Sequence, residues 1–115
     1  MTECIFCRIA AGEIPARVAA RSDEAVAFHD LNPQAPVHVL VVPRAHLGGA
    51  NDTTAEGTRA VWEAVLTLSV RVARDLGIAE SGYRLVVNQG VDGGQSVEHL
   101  HVHVLGGRRM AWPPG

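Results

Sequence analysis

The chain has 115 residues, 47% of them hydrophobic and 19% charged, with a formal net charge of −2. That is the length expected of a single domain, residues 1–115, with the composition of a folded soluble protein and too little charge to draw it onto nucleic acid or an anionic membrane. All ten basic residues are arginine, which excludes a Gly-Lys-Ser/Thr phosphate loop and lysine Schiff-base chemistry. No apolar run approaches the ~20 residues of a membrane span. The opening "MTECIFCRIA" has no basic segment followed by an apolar stretch and a cleavage site, so a cytoplasmic location is expected.

In chain order, "CIFCRIAAGEIP" predicts a short helix or turn stopped by Gly12 and Pro15. "ARVAARSDEAVAFHD" predicts two short strands joined at Ser22-Asp23-Glu24, and "NPQAP" a loop. "VHVLVVP" is a strand, β-branched and apolar except at His38. Asn51 to Thr54 supply N-cap candidates, with Glu56 three residues after Thr53 as in a capping box. The helix they would open carries Val61, Val65, Leu68, Val72 and Leu76 on one face, with Gly77 placed to end it. "YRLVVNQG" and "VEHLHVHVL" predict two more strands around the Gly-rich loop "VDGGQS", and the prolines and glycines of "GGRRMAWPPG" end regular structure. The sum is an α+β domain: an antiparallel sheet of about five strands, one long helix and a short N-terminal helix.

Two features carry chemistry. In "HLHVHVL", His99, His101 and His103 alternate with Leu100, Val102 and Val104, so on a strand the imidazoles share one face while the apolar residues face the core. A solvated His-rich face is the bland alternative, but three of the chain's six histidines in three alternate positions argues against chance. Upstream, Asp92-Gly93-Gly94-Gln95-Ser96 offers close backbone approach, an amide and a hydroxyl, donors suited to an anion. A neutral imidazole beside such donors suits attack on phosphorus. The other feature, Cys4-Ile5-Phe6-Cys7, holds the only two cysteines. A metal-ligand pair, a redox pair and bystander thiols are all open from these residues alone.

Taken together, "CIFCRIAAGEIPA", "AFHDLNPQAPVHVLVVPRAH" and "YRLVVNQGVDGGQSVEHLHVHVLGGRRMAWPPG" resemble the histidine triad family over nearly the whole chain, in its nucleotide-binding branch. The resemblance implies the fold of that family, a homodimer, and hydrolysis of purine nucleoside phosphoramidates through a nucleotidyl-histidine. It implies His101 as nucleophile, His103 near the phosphoryl or bridging oxygens, Ser96 near the leaving group and His38 supporting the cluster. Asn88, Gly94 and Gln95 would bind the phosphate and its surroundings, Asp30 the ribose hydroxyls, and Leu31 the nucleoside. Trp112 would reach the partner's site. The resemblance further implies structural zinc on Cys4, Cys7, His46 and His99, whose carbonyl would orient His101. Glu98 and Ala111 depart from the residue types common in that branch, and bear on the leaving group. A diadenosine-polyphosphate hydrolase, a metal-dependent hydrolase and a non-catalytic nucleotide-binding protein are the rival functions. The first lacks the "GGRRMAWPPG" ending, and the second needs further ligands after Leu105.

Overall fold

The computed structural model describes residues 3–54 and 56–115. Helix α1 (Ile5–Ala10) is followed by strands β1 (Val18–Arg21), β2 (Ala25–His29) and β3 (Val37–Pro43), helix α2 (Arg59–Asp75), then β4 (Tyr83–Val86) and β5 (Val102–Gly106). The five strands form one antiparallel sheet in the order β1-β2-β3-β5-β4. The predicted α+β architecture is therefore the one observed.

Alternation on the strands decides what lies on each side. Val39, Val41, Val102 and Val104 point toward α2 and form one core with its Val65, Leu68, Val72 and Ala73. Leu40 and Val42 of β3 point the other way, where α1 covers them with Phe6, Ile9 and Ala10. Leu40 pairs with His103 across the β3–β5 ladder, and His38 lies two residues before Leu40, so both imidazoles stand on the α1 side. The apolar stripe of α2 is seated as its spacing predicts, with two differences. Leu76 is exposed, while Ser69 is fully buried and its hydroxyl donates to the Val65 carbonyl at 2.7 Å. Gly77 follows the helix in the left-handed region at φ +77°, and Trp62 is partly buried against the α2 core.

Two expectations are corrected. The capping box does not form: α2 begins at Arg59, and its N-cap Thr58 makes no side-chain cap bond. Thr53 Oγ1 instead donates to the Ala50 carbonyl at 2.5 Å, and Asp52 accepts the Gly48 N–H at 2.8 Å. Those side chains close a 3-10 turn at Ala50–Asp52, and Glu56 begins a second one. Local side-chain bonds to the backbone have outcompeted the cap. The second correction concerns the last strand. Its ladder starts only at Val102, because the preceding segment is pulled aside: the His99 N–H bonds to the Val97 carbonyl and the Leu100 N–H to the Leu47 carbonyl. Only His103 of the three histidines is in the ladder. His99 and His101 are buried, so they form no solvated face.

Candidate active site and metal centre

Hydrogen bonds to groups of fixed character settle the tautomers. A backbone N–H can only donate, so when the Gln34 N–H meets His38 Nδ1 at 3.0 Å, the proton of that neutral ring sits on Nε2. Burial lowers the His38 pKa, against an opposing pull from Asp30, which keeps the ring neutral near pH 7. His38 Nε2 then donates to His103 Nδ1 at 2.9 Å, and this puts the His103 proton on Nε2. Burial, followed by neighbouring His101 and His38, pushes the His103 pKa down to about 4. Its Nε2–H is buried with no hydrogen-bond acceptor among the described residues. A buried N–H without an acceptor is costly, and here it is a donor held ready for an incoming oxygen.

His101 is set by the opposite device. Its Nδ1 lies 2.7 Å from the His99 carbonyl, which can only accept, so the lone pair is on Nε2. Phe6 packs edge-on against this ring at 5.2 Å between centroids, and the His103 ring lies 5.0 Å away on another side. The result is one buried imidazole with a free lone pair beside one with a free N–H. That pairing suits attack on an electrophile whose oxygens need a donor.

His99 faces elsewhere. Its Nε2 donates to the Pro43 carbonyl at 2.9 Å, so Nδ1 turns its lone pair toward Cys4 Sγ at 3.3 Å, Cys7 Sγ at 3.5 Å and His46 Nδ1 at 3.1 Å. Cys7 Sγ and His46 Nδ1 are 3.3 Å apart, and all four atoms lie within 4.8 Å of one another. Around a tetrahedral ion with bonds of ~2.0–2.3 Å, ligand atoms stand roughly 3.3–3.8 Å apart. The four residues can therefore hold a metal ion. Cys4 and Cys7 come together because Cys4 is the N-cap of α1, its sulfur accepting the Cys7 N–H at 3.4 Å. A second cluster, Asp30, His38 and His103, is equally compact but differs chemically. The proton on His38 Nε2 points into it, and freeing that nitrogen for a metal would orphan the Gln34 N–H. It suits a proton-bearing relay and not an ion.

The other expected residues divide. Asp30 Oδ1 accepts the Asn32 N–H at 2.8 Å, and Oδ2 lies 3.5 Å from His38 Nε2. Asp30 and fully exposed Leu31 rim a cavity of about 240 Å³ whose walls include Phe6, Ile9, Ile14, Phe28 and Leu40. Sequence reading missed these apolar walls; the only signal was their shared face opposite α2. Gln95 staples its loop: Oε1 accepts the Gly90 N–H at 3.0 Å, and Nε2 donates to the Gly48 carbonyl at 2.7 Å and the Val97 carbonyl at 3.0 Å. A Cβ on Gly93 would come within 2.8 Å of the Gln89 nitrogen, and Gly94 has φ +77°, so both glycines of the loop are required by its shape. Ser96 and Glu98 border the cleft that also reaches Cys4 and His46. Asn88 borders a separate hollow beside β4, and Trp112 is 82% exposed. Arg44 is structural: its guanidinium donates to the carbonyls of Ala10 at 2.8 Å and Ser22 at 3.2 Å. The Ala111 carbonyl accepts from Arg84 at 2.8 Å.

The model of the HIT domain family matches residues 11–110. The chain belongs to the HIT family. A HIT family hydrolase from Legionella pneumophila Philadelphia 1 is 44% identical and superposes with a TM-score of 0.94, over 98% of this chain and 100% of that one. The purine nucleoside phosphoramidase of Escherichia coli K12 is 42% identical over 108 residues, 94% of this chain and 90% of that protein. A zinc-bound histidine triad family protein from Mycobacterium smegmatis is 30% identical with a TM-score of 0.76, covering 98% of this chain and 80% of that one. The HIT family membership brings hydrolase and nucleotide-binding character with it. Among the described residues, no helix is long and apolar enough to cross a membrane.

Proposed function

We propose that this HIT protein hydrolyses purine nucleoside phosphoramidates, cleaving the P–N bond of adenosine or guanosine 5′-monophosphate conjugates through a covalent nucleotidyl-histidine. The observation that carries the reading is the tautomer pair, His101 with its lone pair on Nε2 and His103 with a buried, unpartnered proton on Nε2. His101 Nε2 attacks phosphorus, the P–N bond breaks, and the nitrogen leaves on the side of Ser96 as the amine, taking up one proton from solvent. Water then attacks the same phosphorus and gives one proton back to solvent as the P–N bond to His101 breaks, releasing the nucleoside monophosphate and restoring the free imidazole. The His103 Nε2–H donates to the phosphoryl oxygens in both steps, where charge accumulates. The His99 carbonyl stabilises His101 when the ring becomes cationic on phosphorylation, because Nδ1–H then makes a charge-assisted bond.

The cavity rimmed by Asp30 and Leu31 takes the nucleoside: apolar walls for the base, and a carboxylate for the ribose hydroxyls. Gly94, Gln95 and Asn88 complete the surroundings of the phosphate, with Gln95 holding the loop and its backbone presenting donors. The similarity to the E. coli phosphoramidase supports the substrate class.

The metal on Cys4, Cys7, His46 and His99 is read as zinc. Two thiolates and two imidazoles at tetrahedral spacing are its preferred set, and four protein ligands make the ion structural; the zinc-bound relative supports this. Such a reduced thiol pair suits the cytoplasm. The chain is read as a single domain that works as a homodimer, with Trp112 reaching the partner's site. β4 is a sheet edge, and Leu85, Val87, Val91 and Trp112 are large apolar side chains left in solvent, a combination that calls for cover. Sedimentation at twice the chain mass is the expected result, and a monomer at micromolar concentration would contradict it.

Turnover of adenosine 5′-phosphoramidate tests the activity. Wild-type protein is expected to release ammonia and adenosine monophosphate; a chain that binds the monophosphate but releases nothing would favour the non-catalytic reading.

A further inference from the structure

Helix α1 touches both centres. Its N-terminal end supplies Cys4 and Cys7, two of the four metal-ligand residues, while Phe6 and Ile9 wall the cavity read above as the nucleoside site. Phe6 lies between them: its ring packs edge-on against His99 at 5.9 Å, His101 at 5.2 Å and Phe28 at 5.5 Å. One aromatic side chain thus contacts a metal-ligand residue, the nucleophile and the cavity wall.

A helix of six residues is far shorter than the ~12–15 needed for stability on its own, so its position is set by what anchors its ends. The C-terminal end is fixed by the Arg44 guanidinium on the Ala10 carbonyl. The N-terminal end is fixed where the two sulfurs meet His46 and His99. We propose that metal binding and nucleotide binding are thermodynamically coupled through α1, with Phe6 as the positioning residue between them. A bound ion pins Cys4 and Cys7 to His46 and His99 and so seats Phe6 and Ile9 against the cavity. A nucleotide filling the cavity presses the same two side chains back and holds the cysteines in ligand geometry. Coupling is reciprocal by necessity, so each ligand tightens the other by one common factor.

The proposal rests on the nucleotide and zinc readings above, and its test separates them. Adenosine monophosphate is titrated calorimetrically into zinc-loaded and chelator-stripped protein, and zinc affinity is measured by chelator competition with and without saturating adenosine monophosphate. The monophosphate is expected to bind roughly tenfold more tightly to the zinc form, within the usual range of such couplings, and to tighten zinc by the same factor. Equal nucleotide affinity in the two forms, or zinc affinity indifferent to nucleotide, overturns the coupling while leaving both sites standing. Absence of nucleotide binding to zinc-loaded protein overturns the nucleotide reading and the coupling with it; absence of zinc binding does the same for the metal reading. If stripping zinc unfolds the chain, the rate of zinc transfer to a chelator replaces the affinities, with Phe6→Leu as the second variant. At saturating nucleotide the wild type is expected to retain zinc severalfold longer than Phe6→Leu does, relative to their nucleotide-free rates. An identical ratio in the two proteins overturns the role of Phe6.

Discussion

At the scale of single residues, three neighbouring histidines sit in three different settings because each is fixed by a different hydrogen-bond partner. The pattern His-x-His-x-His shows only that the rings are near one another. Which nitrogen carries each proton depends on Pro43 for His99, on the His99 carbonyl for His101 and, through His38, on Gln34 for His103, and the first and last of these contacts come from distant parts of the chain. Replacing His103 by Asn should lower kcat for the phosphoramidate by about 10²-fold or more, the usual size of a positioned donor or acid-base group; a change under threefold would remove His103 from the chemistry. The depressed pKa of His103 also has a sign that can be tested. Its folded value of about 4 lies below the ordinary histidine value of 6.5, so between those limits the unfolded chain binds more protons than the folded one. Stability is therefore full above about pH 6.5 and declines as the pH falls toward 4. Thermal melts from pH 7 to pH 4.5 should show a smaller loss of Tm in His103→Asn than in wild type, and parallel curves would contradict the burial of a neutral ring.

At the scale of elements, the sheet and α2 were legible because their periods are regular and their apolar faces meet. Val65, Leu68 and Val72 are buried where a 3.6-residue repeat puts them. Leu68→Ala should cost about 2–5 kcal/mol in denaturant unfolding, and Gly77→Ala about 1–2 kcal/mol, since its positive φ disfavours a Cβ. A loss below 1 kcal/mol for Leu68→Ala would mean that α2 is not seated on the sheet as described. Boundaries were less legible. Thr53 and Glu56 have the spacing of a capping box, yet Thr53 and Asp52 spend their side chains on a preceding turn, and nothing in the local sequence ranks those competing bonds. The last strand begins five residues later than "VEHLHVHVL" suggests, at Val102 and not Val97, because the departure of His99 and Leu100 from the ladder depends on Val97 and on Leu47, fifty-three residues upstream of Leu100. The apolar cavity escaped notice for a similar reason: its walls come from α1, from the segment between α1 and β1, and from β2 and β3, and converge only after folding.

At the scale of the whole molecule, α1 side and α2 side of one sheet divide the labour. The α2 face holds the larger apolar core, and the α1 face carries the imidazoles, the thiols and the cavity. A chain of this size buries a modest core, so an ion held by Cys4, Cys7, His46 and His99 would add stability that burial alone does not supply. Metal analysis of protein purified without chelator should find about one zinc per chain, and chelation should lower Tm; well under one ion, or an unchanged melt, would dismiss the centre. The family was readable from the sequence because its motifs are spread along the chain, from "CIFCRIAAGEIPA" to "WPPG". The partner reading draws on the exposed β4 edge and apolar tail as well as on that resemblance.

The central claim is that His101 becomes covalently attached to the nucleotide. Acid-quenched, single-turnover reaction of the wild-type protein with adenosine 5′-phosphoramidate, followed by peptide mass spectrometry, tests it most directly. A nucleotidyl adduct on His101 that forms and decays within a turnover is expected, together with none in His101→Ala and a turnover loss of at least about 10³-fold in that variant. Hydrolysis by His101→Ala at the wild-type rate, or an adduct on another residue, would contradict it.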